Sequence, residues 1–75
     1  MVLIMKYNGH KNWNHWNVSL WINNDEGLYS LAKECLRQSA TKDLAARSLL
    51  DQLPPKTPDG AKYSLSSVRA ALVGI

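Results

Sequence analysis

Residues 8–24 read NGHKNWNHWNVSLWINN and contain all three tryptophans of the chain together with six asparagines. An ordinary amphipathic segment combines aliphatic with charged side chains, whereas this one combines the largest apolar side chains with uncharged amides. Trp13, Trp16 and Leu20 recur at intervals of three and four residues, which is typical of one face of a helix. Asn12 precedes them and is a suitable N-cap. The spacing predicts a first helix that begins after Asn12.

A strand is the competing interpretation of this stretch, because Val18, Leu20 and Ile22 alternate with other residues. A strand does not explain the spacing of the tryptophans, so we predict a helix. Val18 and Ile22 then lie on the other side from Trp13 and Trp16, and Trp21 lies between the two sides. Such a helix is apolar around most of its circumference, and we expect it to be buried on two sides or covered by a partner.

Three further helices follow from apolar residues at helical spacing. The second is capped by Asn24 or Asp25 and runs to about Gln38. The third covers residues 41–53, with an Asp43–Arg47 pair, and stops at two prolines. The fourth covers residues 66–73 after a cap at Ser64 or Ser66. Their predicted inward residues are Leu28, Leu31, Ala32, Cys35 and Leu36, then Ala46, Leu49, Leu50 and Leu53, then Val68, Ala71, Leu72 and Ile75.

These elements predict an all-α fold, a compact bundle of about four short helices in a single domain over residues 1–75. Residues 1–11 form an N-terminal arm, in which residues 2–7 could be a short strand, and residues 54–63 form a loop rich in proline and glycine. Met5 is an alternative start to Met1. A chain of 75 residues buries only about 60% of its unfolded surface, so packing between helices or between subunits must stabilise it.

Composition limits the other sources of stability. Cys35 is the only cysteine, so no disulfide forms within the chain, and with His10 and His15 it makes no familiar zinc spacing. We therefore expect no metal and no cofactor. A lone cysteine, the absence of a signal peptide and the lack of a run of about 20 apolar residues predict a cytoplasmic protein without a membrane span.

Catalysis is not expected. A hydrolytic site needs a nucleophile, a base and an orienting group, yet the two histidines lie near the N-terminus and the serines at 64, 66 and 67 are far away in sequence. Asp25 and Glu26 are adjacent, and adjacent residues on a helix do not face each other. We predict a non-enzymatic protein.

The aromatic segment is the first candidate site. Tryptophan is enriched at binding hot spots, and asparagine offers both a donor and an acceptor. The residues predicted to contact a partner protein, or to shape the contact surface, are Trp13, Trp16, Asn17, Trp21 and Tyr29. One alternative is that the tryptophans are simply the core, with Asn17 and Asn24 hydrogen-bonding loop backbones, and another is that the aromatic helix forms the interface of a homodimer. We expect at least one tryptophan to be partly exposed in either case.

The C-terminal third is the second candidate. Residues 57–72, TPDGAKYSLSSVRAAL, resemble a motif near the DNA-binding helix of large serine recombinases, without the second arginine common there. The resemblance implies a small helix-turn-helix-like DNA-binding module as the alternative function. Residues near phosphates or bases would be Lys56, Lys62, Ser66, Ser67 and Arg69. A capped C-terminal helix with scattered basic residues explains the same sequence.

Residues 12–25 also resemble a small family found in bacteriophages and prophages, whose members share the core Asn-aromatic-x-x-Trp-Asn-Val-x-Leu-Trp-Ile-x-Asn-Asp/Glu. The resemblance implies a phage origin and carries no assigned activity. Small phage proteins often bind and block a host enzyme or an immune effector. We therefore expect an anti-defence inhibitor of a host protein, such as a CRISPR or restriction complex.

Overall fold

Four α-helices make up the computed structural model, which describes residues 9–75: α1 (Trp13–Asn24), α2 (Glu26–Gln38), α3 (Lys42–Gln52) and α4 (Leu65–Ala71). The predicted all-α bundle is confirmed. Residues 18–22 are helical, so the competing strand is wrong, and within residues 9–75 the extended pairing is confined to one isolated bridge, between Lys56 and Lys62. The possible strand at residues 2–7 and the two candidate start residues lie outside the described residues.

Each helix begins at a short polar cap, because a helix leaves its first N–H groups without partners and such a side chain can accept from one of them. Three of the caps are among those predicted, whereas Thr41 was predicted as the first residue of the third helix and is its cap instead. The accepting side chains are Asn12 for His15 N, Asp25 for Leu28 N, Thr41 for Leu44 N and Ser64 for Ser67 N. Two alternatives were predicted for the caps of α2 and α4, and the structure shows Asp25 for α2 and Ser64 for α4. The fourth helix begins one residue earlier than predicted and ends two residues earlier.

The helices form a closed ring around the core, since α1 and α3 each contact α2 and α4. The buried apolar residues are Val18, Ile22, Ala32, Cys35, Ala45, Ala46, Leu49, Ala61, Tyr63, Val68, Ala71 and Leu72. Of the residues predicted to face inward on α2, α3 and α4, all but Leu28 belong to this set or pack around it at half burial, and buried Ala45 was not predicted. Cys35 is buried and free, as its place on the α2 stripe predicts. None of these helices, the longest of which has 13 residues, combines the length and hydropathy needed to cross a membrane.

Helix α1 turns its aliphatic side inward. Val18 and Ile22 have no exposed surface, whereas Trp13 is 40% exposed and Leu20 37% exposed. The physical reason is side-chain size: the other three helices contribute four buried alanines to a small core, which suits two β-branched side chains better than a row of indoles. The interpretation that the tryptophans are simply the core is therefore wrong for Trp13, and the expected partly exposed tryptophan is found.

The segment between α3 and α4 is a hairpin-like loop. Thr57 N donates to Ala61 O across 2.8 Å, and Tyr63 N donates to Pro55 O across 3.1 Å. The turn closes at Gly60, whose φ of +95° is a conformation that glycine adopts without strain. Ala61 and Tyr63 reach the core, and the turn rests on α1.

One predicted ion pair is wrong. Asp43 does not pair with Arg47 on its own helix but accepts a 2.6 Å hydrogen bond from Arg69 Nε on α4. The contact joins α3 to α4 through two residues that are 26 positions apart in the sequence. Periodicity along one helix gives no information about such a partner.

Candidate functional site

A row of hydrogen-bonding side chains on α1 fastens the loop between α3 and α4. Asn14, Asn17 and Trp21 recur at intervals of three and four, so they lie on one face of the helix. All three bind groups in residues 57–62. This polar face lies between the inward aliphatic side and the exposed aromatic side of α1, and it uses the amides that make the segment unusual.

Asn17 is the centre of this network. Its Oδ1 accepts a 2.6 Å hydrogen bond from Thr57 Oγ1, and its Nδ2 donates to Asp59 Oδ2 across 2.8 Å. Thr57 Oγ1 in turn accepts from Ala61 N at 3.0 Å. Asn17 and Thr57 are both buried, and no buried side-chain nitrogen or oxygen in residues 9–75 lacks a partner. The pair therefore specifies one position of the loop, because any other position leaves buried polar groups unpaired.

Asn14 binds the loop as a neighbouring strand would. Its Nδ2 donates to Lys62 O and its Oδ1 accepts from Lys62 N, both at 3.0 Å. One amide side chain thus satisfies both backbone groups of Lys62 that point away from the hairpin. The contact brings the loop against the first turn of α1.

Asp59, in the turn of the loop, accepts the remaining hydrogen bonds that join the loop to α1. Its Oδ2 accepts from Asn17 and also from Trp21 Nε1 at 2.9 Å. These two donors, the amide of Asn17 first, lower the pKa of the Asp59 carboxyl from its ordinary value. The carboxylate is therefore the form that holds the loop on α1.

The aromatic side of α1 carries the exposed apolar surface. Trp13 and Leu20 are exposed, and Trp16 and Trp21 are half-buried. Two shallow grooves flank Leu20: Trp16 lines one of them and Trp21 lines the other. Both grooves extend to Asn24 at the end of the helix. We call Trp13, Trp16, Leu20 and Trp21 the aromatic face.

The five residues predicted for partner binding therefore separate into three groups. Trp13, Trp16 and Trp21 contribute to the aromatic face. Asn17 is 1% exposed, so it shapes the surface by holding the loop and does not touch a partner itself. Tyr29 lies on α2, where it is 36% exposed and the Lys33 ammonium stands 5.4 Å from the centre of its ring. Neither groove beside Leu20 is lined by Tyr29.

The residues predicted for nucleic-acid binding are not presented together by α4. Ser67 is fully buried and forms a reciprocal capping box with Ser64. Arg69 is bonded to Asp43. Lys56 and Lys62 lie instead on the loop, opposite each other. A helix-turn-helix arrangement would need α4 to present a free face, whereas these contacts occupy the serine and the arginine that would have carried it.

Ser66 and His15 are 51 residues apart in the sequence but lie close together in the structure. Ser66 Oγ lies 3.1 Å from His15 Nε2 at the surface. Burial, and then the charges of Lys11 and His10, lower the pKa of His15. The grooves beside Leu20 are lined by other residues, and no carboxylate within residues 9–75 is bonded to this imidazole. The pair fastens α1 to α4.

A larger groove of about 470 Å³ lies between α2 and the C-terminal residue. Its lining residues are Ser30, Lys33, Glu34, Leu36, Arg37 and Ile75. The Glu34 carboxylate in this groove is already bonded to Arg37 and Gln38. Because Glu34 and Arg37 are paired with each other and the Lys33 ammonium lies over the Tyr29 ring, the groove is a weaker candidate than the aromatic face. Within residues 9–75 no three His, Cys, Asp or Glu side chains are grouped to hold a metal ion.

The sequence offered a loop contact for Asn17 and Asn24 as an alternative; Asn17 does bind the loop, through the side chains of Thr57 and Asp59, whereas Asn24 bonds within α1. The complete polar face was not predicted, although part of its signal is visible in the sequence. Asn14, Asn17 and Trp21 form a stripe as regular as the tryptophan stripe. Their partners, Thr57 and Asp59, lie at least 38 residues away and appear in the sequence only as turn residues.

A comparison with known protein families identifies the family of this chain. A family model described as "Family of unknown function (DUF7249)" matches residues 4–73, nearly the whole chain. The chain belongs to the DUF7249 family. The match includes every residue of the polar face and of the aromatic face, so both are parts of the family's domain. No curated protein and no solved structure matches the chain.

Proposed function

We propose that this member of the DUF7249 family is a non-enzymatic binding protein that attaches to a host protein through the aromatic face. The observation that carries the proposal is the exposure of Trp13 and Leu20 on a helix whose polar face is held rigidly by the loop. Large apolar side chains exposed on a rigid helix lose little conformational entropy on binding, and tryptophan contributes more binding energy than most residues.

The shape of the aromatic face also supports the proposal. Leu20 stands between two grooves, so a partner can surround it with apolar side chains. Amides at the rim, such as Asn24, offer hydrogen bonds to a partner's backbone. The resemblance of residues 12–25 to a bacteriophage family adds the biological setting, in which the partner is a host enzyme or an immune effector and binding inhibits it.

Affinity capture from a bacterial lysate tests this function. The tagged protein, with nuclease added to remove nucleic acid, is compared with Trp13→Ala and Leu20→Ala. We expect both variants to lose the captured protein while circular dichroism keeps its helical signal. Leu44→Ala is the matched control, because Leu44 is 52% exposed on α3, outside the aromatic face, and its removal should leave capture unchanged.

Two results would count against the aromatic face. Equal loss of capture in Leu44→Ala would show that any exposed leucine contributes. Full capture by Trp13→Ala combined with Leu20→Ala would show that the partner binds elsewhere. Sedimentation of the free protein separates self-association from partner binding, because a homodimer through this face would disappear in the same two variants.

A further inference from the structure

The two lysines of the hairpin-like loop form a pair of like charges. Lys56 and Lys62 are directly opposite each other, and the bonds on either side come from Thr57 N and Tyr63 N. This pattern makes them the non-hydrogen-bonded type of antiparallel pair, in which the Cα atoms are about 4.5 Å apart and the side chains are closest. Like charges in such a position repel each other and destabilise the fold.

Both side chains also point away from the protein. The neighbouring residues Thr57, Ala61 and Tyr63 are buried, and successive side chains of an extended segment point to opposite sides. Lys56 and Lys62 are exposed. Within residues 9–75 the ion pairs are Glu34–Arg37 and Asp43–Arg69, so neither lysine has a bonded carboxylate.

The carboxylate of the same loop does not compensate the pair. Asp59 Oδ2 faces α1, where Asn17 and Trp21 donate to it. The part of α1 nearest the pair is also uncharged, since Asn14 holds the backbone of Lys62 through its amide. We call Lys56 and Lys62 the lysine ridge.

We propose that the lysine ridge binds the phosphodiester backbone of a nucleic acid. Two ammonium groups on long flexible stems, held a few ångströms apart at their roots, suit successive phosphates of one strand. An anionic membrane is usually bound by clusters of about four to eight basic residues, more than the ridge provides. The site differs from the helix-turn-helix predicted from the sequence, because it lies on the loop and needs no exposed face of α4.

The proposal is separate from partner binding through the aromatic face, and its test uses different residues. Labelled single-stranded and duplex oligonucleotides are titrated with the full chain by fluorescence anisotropy, at salt concentrations from about 50 to 200 mM. We compare Lys56→Gln/Lys62→Gln with Lys33→Gln/Lys42→Gln, which removes the same charge from exposed lysines of α2 and α3.

We expect the loop double variant to bind at least about tenfold more weakly at 50 mM salt, and its slope of log K against log salt to fall by about two. The control pair should stay within about twofold. The melting temperature of the loop variant should be unchanged or higher, because repulsion is relieved. A loss of binding that accompanies a gain in stability identifies a site and not a damaged fold.

Three results would overturn the proposal. The first is an absence of binding by the unmodified chain to either oligonucleotide at 50 mM salt. The second is an equal loss in both double variants, which would reflect net charge alone. The third is tighter binding to phosphatidylserine vesicles than to either oligonucleotide, which would assign the ridge to a lipid surface.

Discussion

Trp21 donates its indole N–H to Asp59 Oδ2 across 2.9 Å, so the most polar atom of an apolar residue is bonded to the turn of a loop 38 residues away. The same oxygen accepts from Asn17. A tryptophan in this position has two roles: its ring lines a groove of the aromatic face, and its nitrogen holds the loop. Binding surface and loop attachment are therefore physically linked through one side chain.

The first prediction concerns acid. The donors Asn17 and Trp21 lower the pKa of the folded-state Asp59 carboxyl, while the unfolded chain has the ordinary value of about 3.9. Asp59 therefore stabilises the fold fully above that value, and the stabilisation is lost as the pH falls through the lower, folded-state pKa. We expect Asp59→Asn to flatten the acid side of the stability curve.

Thermal unfolding followed by circular dichroism, between about pH 6 and pH 2.5, measures this effect. The melting temperature of Asp59→Asn should fall less over that range than that of the unmodified protein. Asp51→Asn serves as control, because Asp51 is exposed on α3 and makes no side-chain hydrogen bond within the described residues. Parallel curves for the unmodified protein and Asp59→Asn would show that the carboxylate does not hold the loop.

The second prediction concerns the buried pair Asn17 and Thr57. Asn17→Ala leaves the Thr57 hydroxyl without its acceptor and releases Asp59, so we expect a loss of about 2–3 kcal/mol. Thr57→Val removes the hydroxyl at nearly constant volume and should cost about 1–2 kcal/mol. In the double variant the two losses should overlap by about 1 kcal/mol or more, because both remove the same hydrogen bond.

Urea unfolding of the four proteins in this cycle gives the coupling energy. Asn24→Ala is the matched control on the same helix, since Asn24 is exposed and donates only to Leu20 O within α1. Its cost should stay below about 0.5 kcal/mol. Strict additivity of Asn17→Ala and Thr57→Val would mean that the 2.6 Å contact contributes nothing to stability.

Features that depend on residues close together in the sequence could be predicted, whereas features that depend on distant residues could not. The caps Asn12, Asp25, Thr41 and Ser64 act on N–H groups three residues away, so a short window contains all the information. The inward faces of α2, α3 and α4 follow from a single apolar stripe on each helix. The all-α fold could therefore be predicted from these local signals.

The orientation of α1 could not be predicted in the same way. Its apolar residues surround most of the helix, so periodicity offers the tryptophan side and the Val18–Ile22 side as almost equal candidates for the core. Two things favour the Val18–Ile22 side: the small side chains of the core, and the hydrogen bonds of the amides to the turn at Thr57 and Asp59. The Asp43–Arg69 pair depended on packing in the same way. Contacts of this kind follow from the assembled fold and not from a window of sequence.

The third prediction compares two apolar residues of α1. Ile22 is fully buried, so Ile22→Ala removes buried methylene groups, leaves a cavity and should cost about 2–5 kcal/mol. Trp13 is the larger side chain but is 40% exposed, and we expect Trp13→Ala to cost less than about 1.5 kcal/mol. Chemical denaturation of both variants measures the difference. A greater loss in Trp13→Ala would place its indole in the core and would remove it from the aromatic face.

The fourth prediction concerns the start of α4, a helix of only seven residues. Ser64 Oγ accepts from Ser67 N, and Ser67 Oγ accepts from Ser64 N, so two otherwise unpaired N–H groups are satisfied reciprocally. Ser64→Ala removes the cap and should cost about 1 kcal/mol, which lowers the melting temperature of a domain of this size by about 4–8 °C. Ser67→Ala should cost at least as much, because Ser67 is fully buried and Ala leaves the Ser64 N–H without its partner.

The control for this pair is Ser30→Ala, since Ser30 is exposed within α2 and alanine is the better helix former. Its melting temperature should be unchanged or slightly raised. The two cap variants should also fray α4 before the rest of the domain, so amide exchange of residues 65–71 should accelerate more than that of α2. Such a short helix contacts both α1 and α3, and weakening it should loosen the ring at the point where Arg69 meets Asp43. Uniform acceleration across all four helices would instead show that α4 unfolds only with the whole domain.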